Sequence, residues 1–205
     1  MSIADNLLAF TFAAALLTLT PGLDTALVLR TAVEGRAQAW RAALGINLGC
    51  LLWGAAVAFG LGALLAVSEL AYTLLKYCGA AYLCWLGLNL LLRPRTTFAS
   101  ASAEQGTSSN WLLKGILGNV LNPKVGIFYV SFLPQFIPQD QPLIAWTFGL
   151  VAIHVVLGLL WSLTLISATR SLGEVLRKAA VIRWLDRTTG VVFLVFAVRL
   201  VVSRR

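Results

Sequence analysis

The chain has 205 residues, of which 59% are apolar and 12% charged, with a formal charge of +8. Soluble domains average about half apolar and about a quarter charged, so a water-facing protein of this size has no place for so much Val, Leu, Ala and Trp. The Lys and Arg residues fall between the hydrophobic stretches, not along one face with interleaved aromatics, and this excludes nucleic acid as a partner.

Crossing a bilayer as a helix takes about 20 apolar residues. Six stretches are read as spans: 6–29, 42–67, 70–92, 111–136, 142–169 and a shorter 188–202 whose start reaches back toward Ile182. A signal peptide opens with a positive region; here Asp5 is the first charge and no Lys or Arg precedes Arg30, so the first stretch reads as a retained span. Residues 93–110, rich in Ser, Thr, Ala and Gln, read as a polar linker between a first half, 1–92, and a second half, 111–205. Residues 170–187 read as an amphipathic surface helix.

Basic residues gather at Arg30, Arg36 and Arg41, at Arg93, Arg95 and Lys114, and at Arg170, Arg177, Lys178, Arg183 and Arg187; the turns around Ser68 and 138–141 have none. The positive-inside rule then places loops 30–41, 93–110 and 170–187 in the cytoplasm and both termini outside. The expected location is the inner (plasma) membrane, multi-pass. Arg204 and Arg205 in the short C-terminal tail run against this arrangement.

An internal repeat is visible. Leu19-Thr20-Pro21-Gly22 is answered by Leu121-Asn122-Pro123-Lys124, and Leu51-Leu52-Trp53-Gly54 by Leu159-Leu160-Trp161-Ser162. Lys76-x-x-Gly79-Ala80-Ala81-Tyr82-Leu83-x-Trp85 is answered by Arg187-x-x-Gly190-Val191-Val192-Phe193-Leu194-x-Phe196. The matches keep their order, about half a chain apart. Three spans per repeat is an odd number, so the second half inserts upside down, as in many secondary transporters. The expected fold is an all-α integral membrane protein of six transmembrane helices, built as two inverted three-helix repeats with helices 1 and 4 broken.

The breaks come from proline, which removes a backbone hydrogen bond and clashes with the preceding turn. In lipid such freed groups persist only when buried in protein or facing a water-filled cavity. At about 1.5 Å per residue, Pro21 and Pro123 lie roughly 20 Å into their helices, near or just past the midplane. Packing kinks are one use of such prolines and a central substrate site is another. Thr20, Gly22, Asp24, Asn119, Asn122 and Lys124 cluster there and point to the site.

At these residues the chain resembles the LysE/RhtB family of amino-acid exporters. The resemblance rests on Thr20-Pro21-Gly22 followed by Asp24, on 79–87 (Gly-Ala-Ala-Tyr-Leu-Cys-Trp-Leu-Gly), and on Asn119-Val120-Leu121-Asn122-Pro123-Lys124. Leu23 stands where the family often has a second proline. The resemblance implies secondary export of amino acids or their derivatives, of homoserine, threonine or lysine type, driven by an ion gradient such as protons. The implied partners are a small polar metabolite and the lipid bilayer, with a homodimer as a candidate assembly.

Asp24 is a candidate proton carrier or partner for a substrate amino group, because an intramembrane carboxylate is costly to keep. Lys124 is the matching cation, suited to a substrate carboxylate or to pairing with Asp24. The amides of Asn119 and Asn122 suit carbonyls freed by the break, or a zwitterion. Asn47, beside Gly45 and Gly49, suits an interhelical bond or a place in the site. His154 is the sole histidine, too few donors for a metal, though a proton relay is open to it. Cys50, Cys78 and Cys84 all lie in the first half, which argues against a thiol-disulfide reductase needing one Cys per half. A metal-cation exporter lacks ligands, and a passive channel is compatible with the sequence. No cofactor is expected, and no G-x-x-x-x-G-K loop for ATP occurs.

Overall fold

The computed structural model describes residues 3–67, 69–95, 110–138, 140–176 and 178–202, and among them there is no strand. The first helix, α1 (Ile3–Leu19), ends at Thr20-Pro21-Gly22, and α2 (Leu23–Glu34) leaves at an angle of 53°. Gly35 then turns the chain into α3 (Arg36–Val67), followed by α4 (Glu69–Leu92). The second half opens with α5 (Trp111–Val120), and α6 (Pro123–Ile127) follows across a second break. From there the chain runs on as a π turn, Phe128–Phe132, and a 3-10 turn, Leu133–Phe136. The bend between α5 and the Pro123–Phe136 stretch is 52°. Three helices complete the described residues: α7 (Leu143–Ser167), α8 (Thr169–Leu176) and α9 (Ala179–Val202).

Length and apolar composition qualify α7 and the Arg36–Gly60 part of α3 as membrane spans, and each bent pair qualifies as one broken span. Within α4 the apolar stretch is the shorter Tyr77–Leu92. The charges Arg183, Asp186, Arg187 and Arg199 interrupt α9. Leu8, Phe12, Leu48, Leu52, Leu160 and Val198 are among the large apolar side chains left exposed. In water that surface would be unsustainable; against acyl chains it costs nothing.

Small residues set how the helices cross. A Cβ on Gly45 would fall 2.1 Å from the Leu112 carbonyl and 3.0 Å from the Gly115 Cα, while Gly49 abuts Asn119. Rising numbers on α3 therefore meet rising numbers on α5, and the two run parallel. Gly54 against Val151 and Gly158 against Asn47 make α3 and α7 antiparallel. Gly87 meets Gly190 through their backbones, joining α4 to α9. Such seams let van der Waals contact replace the hydrophobic drive that is missing between helices in lipid.

Among the described residues, buried side chains form two clusters. One is aromatic and contains Phe10, Phe128, Tyr129, Phe132, Phe136 and Phe196. The other is aliphatic, with Val28, Leu29, Ile46, Leu165, Ile166 and Leu176.

Three expectations are corrected. Residues 30–41 are not a loop: Arg30 lies in α2 and Arg36 and Arg41 in α3, with Gly35 alone between the helices. Charged side chains reach for water on long stems without ending the helix beneath them. What turns the chain is Gly35, at φ 157 and ψ 153, a conformation essentially reserved for glycine. The last long helix begins at Ala179, not at Thr188 or Ile182. Residues 170–187 are accordingly not one surface helix but most of α8 and the start of α9, where Ile182 and Asp186 are buried. The Ser68 turn, residues 96–109 of the linker, Arg177 and the tail with Arg204 and Arg205 lie outside the described residues.

Candidate functional site

The two breaks meet. Where α1 ends, its last carbonyls have no helical partners. The Lys124 ammonium, borne on the first turn of α6, donates to the Leu17 carbonyl at 2.8 Å and the Thr20 carbonyl at 2.9 Å. A cation there also faces the negative pole of α1. Asp24, in the first turn of α2, faces the positive pole of its own helix and accepts from the Asn119 amide at 2.9 Å. Each break is thus tied to the other by a side chain.

The pairing expected as one use of Lys124 is not formed. Asp24 and Lys124 do not form an ion pair; the cation is held by backbone oxygens and the carboxylate by an amide. Asn122 caps α6, its side-chain oxygen accepting from the Lys124 N–H at 3.1 Å. The Thr20 hydroxyl donates back to the Leu16 carbonyl at 2.6 Å and shares a contact with the Thr189 hydroxyl of α9.

A cavity of about 70 Å³ lies at the meeting point. A buried water needs roughly 10–15 Å³ on the same measure, so several waters or one small solute fit. Thr20, Gly22, Asp24, Asn119, Asn122 and Lys124 all line it. Leu17, Cys50 and Val125 come from the aromatic cluster, and Val28, Ile46 and Leu165 from the aliphatic one. The space is the gap between the two cores. Pro21, Pro123 and Asn47 are not on its wall. The prolines shape the breaks, and Asn47 donates to the Ala43 carbonyl at 2.8 Å while packing against Gly158.

Sequence reasoning missed much of the wall. Thr25, Trp161 and Ser162 line it, with the Trp161 indole N–H 3.5 Å from the Thr25 hydroxyl. His154, which the sequence left open to a proton relay, also faces it, its Nδ1 2.9 Å from the Tyr129 hydroxyl. One signal was available: Trp161-Ser162 belongs to the repeat motif of α7. Among the described residues no three His, Cys, Asp or Glu side chains group as metal ligands. All three cysteines are free.

Comparison with known proteins gives this geometry its context. The chain is 30% identical to the threonine efflux protein of Escherichia coli (strain K12) over 192 residues, covering 91% of this chain and 92% of that protein. It is 28% identical to an uncharacterized membrane protein, YrhP, of Bacillus subtilis (strain 168), covering 95% and 97%. The leucine efflux protein of Klebsiella pneumoniae is 28% identical, with 95% and 94% covered. No solved structure matches significantly. The family model described as LysE type translocator matches residues 15–204, both helix breaks included. With nearly the whole chain matched, this multi-pass membrane protein belongs to the LysE family of translocators and is a transporter, not an enzyme.

Proposed function

We propose that this protein exports a small neutral α-amino acid across the inner membrane, with Asp24 carrying the coupling proton. The observation behind this reading is the cavity itself, which holds one carboxylate and one ammonium at opposed helix ends. An ammonium has three donors, and Lys124 spends two on carbonyls, leaving one for a substrate carboxylate. The Asp24 carboxylate accepts from Asn119 through Oδ2, with the Asn122 amide also beside it, and faces the cavity as the counter-charge for a substrate amino group. Around them stand the hydroxyls of Thr18, Thr25 and Ser162 and the apolar Val28, Ile46 and Leu165; among the described residues the wall has no second carboxylate and no second Lys or Arg, and His154 is engaged with the Tyr129 hydroxyl. A charged substrate side chain would enter without a counter-charge, which favours neutral ones. The threonine and leucine efflux relatives support the same reading.

The fold that serves this function is read as six spans in two inverted repeats, 1–92 and 111–205, joined by the linker 93–110. The nearly equal bends at the two breaks and the antiparallel α3 and α7 support it. The basic ends then face the cytoplasm. Reconstitution into liposomes with an amino-acid panel and an imposed pH gradient tests the function. Gradient-dependent flux of small neutral amino acids is expected, with lysine and glutamate moved poorly; no flux of any panel member would overturn the reading. Asp24→Asn is expected to uncouple flux from the pH gradient. Wild-type rates across a range of pH in that variant would remove the proton role.

A further inference from the structure

The cavity stops partway through the protein. Its wall follows α2 as far as Val28 and α7 as far as Leu165, toward the end of the bundle that carries Arg30, Arg36 and Arg41. In the other direction it ends at Leu17, Cys50, Val125 and His154. Behind that floor lies a layer of rings: Phe10 of α1, Phe128 and Phe132 of the π turn, Phe136 of the 3-10 turn and Phe196 of α9, none more than 9% exposed. Ring centroids are 5.8 Å apart for Phe10–Phe128, 4.9 Å for Phe128–Phe132 and for Phe132–Phe136, and 4.2 Å for Phe132–Phe196. The Tyr129–His154 hydrogen bond joins the floor to this layer, with the Phe128 ring 5.4 Å from the imidazole.

A second observation lies in the same half of the molecule. Asn6 Oδ1, Gln135 Oε1 and Thr147 Oγ1 are buried without a partner, near the ends of α1, the 3-10 turn and α7 that lie away from the basic residues. Buried polar atoms are normally satisfied, and exceptions call for an explanation. A third concerns the backbone. The wall carrying most of the rings is π and 3-10, not α, and such interruptions of helical register mark functional hinges.

We propose that this aromatic layer is the closed outward barrier of the translocation path, and that the path continues through it between α1, the Phe128–Phe136 stretch and α9. When the rings part, Asn6, Gln135 and Thr147 regain partners in water or substrate. The Tyr129–His154 bond holds the barrier shut from the cavity side. The inference rests on reading the cavity as the substrate site.

Native Cys50, on the cavity floor, reports the barrier without any substrate. In a Cys78→Ser, Cys84→Ser background, sealed vesicles of either orientation are treated with a charged, membrane-impermeant methanethiosulfonate. Cys50, only 5% exposed, is expected to react slowly from the side of the basic helix ends and to be protected from the other; no reaction from either side would overturn the proposal. Phe132→Ala with Phe136→Ala removes the ring contacts with Phe10, Phe128 and Phe196 and is expected to raise the far-side rate by about tenfold or more, since one or two such contacts alone account for about tenfold. The basic-side rate should stay as it was, which shows that the fold is kept. Tyr129→Phe should act in the same direction with a smaller effect, read as the ratio of far-side to basic-side rates because this hydroxyl also contacts the Cys50 thiol. Free far-side reaction in the parent protein, or ring truncations that leave the far-side rate unchanged, would overturn the proposal. Phe10→Ala opens the same layer from α1 and decides the matter if the double variant does not reach the membrane. If the sidedness holds while no amino acid is transported, the barrier stands and only the substrate reading fails.

Discussion

The two helix breaks bend the chain almost equally, by 53° and 52°, yet they are held by different means. At the second break Asn122 sits before the proline and caps the helix that follows it. At the first break the matching Thr20 turns its hydroxyl backwards, and Gly22 gives α2 no side-chain cap. The carbonyls at the end of α1 are satisfied by Lys124 from the other half. The second break supports itself while the first leans on it. A side chain that binds substrate at Lys124 would therefore also loosen or tighten α1.

The largest test of this asymmetry is Lys124→Met. It removes two charge-assisted hydrogen bonds from the first break, and a loss of about 2–3 kcal/mol is expected once water compensates in part. Thermal unfolding in detergent measures this, and liposome flux should fall about 100-fold or more. Unchanged stability would mean that α1 does not depend on its partner. Adding Asp24→Asn should not restore stability, because the two charges are not paired in the fold; recovery in the double variant would show that they are.

Next in size is the support beneath the second break. Gly45→Ala drives a Cβ into the Leu112 carbonyl on α5, an overpacking expected to cost about 1–3 kcal/mol. Gly118, also on α5, has nothing within 4 Å of such a Cβ. Gly118→Ala should be neutral, or gain up to about 1 kcal/mol from helix propensity. Equal losses at both positions in a urea or thermal series would deny the seam its role. Asn122→Ala then removes the cap of α6, for about 1 kcal/mol. Smallest is Gly22→Asn, which offers the first break the cap it lacks, its Cβ in ordinary contact with the Lys124 ammonium at 3.8 Å. A gain of a few tenths of a kcal/mol is expected, and a larger one would show the first break to be less well supported than Lys124 makes it.

The candidate site was legible in outline because proline has only a few outcomes inside a helix. Pro21 and Pro123 marked the breaks, and the polar residues beside them could be read off as neighbours in the chain. Residues that approach from other helices could not. Thr189 on α9, Trp161 and His154 on α7, and the Tyr129 hydroxyl reach the site or its floor by packing alone. The partners of Lys124 were hidden for another reason. A carbonyl freed by a break looks like any other carbonyl in the sequence, so pairing with Asp24 was the visible option and backbone capping was not.

The same division runs through the rest of the chain. Arg95 was counted only as a loop charge. The structure has it gripping the fully buried Asp186, through Nε at 3.0 Å and its second guanidinium nitrogen at 2.5 Å, and so tying the start of the linker to α9. Composition alone determined that the chain belongs in a membrane, since apolar surface in such excess has no other solvent. Local chemistry alone determined where two helices break. Only the tertiary structure decided that each break is bridged by a side chain of the other half, because helix crossing depends on glycine seams and backbone acceptors whose partners lie about half a chain away.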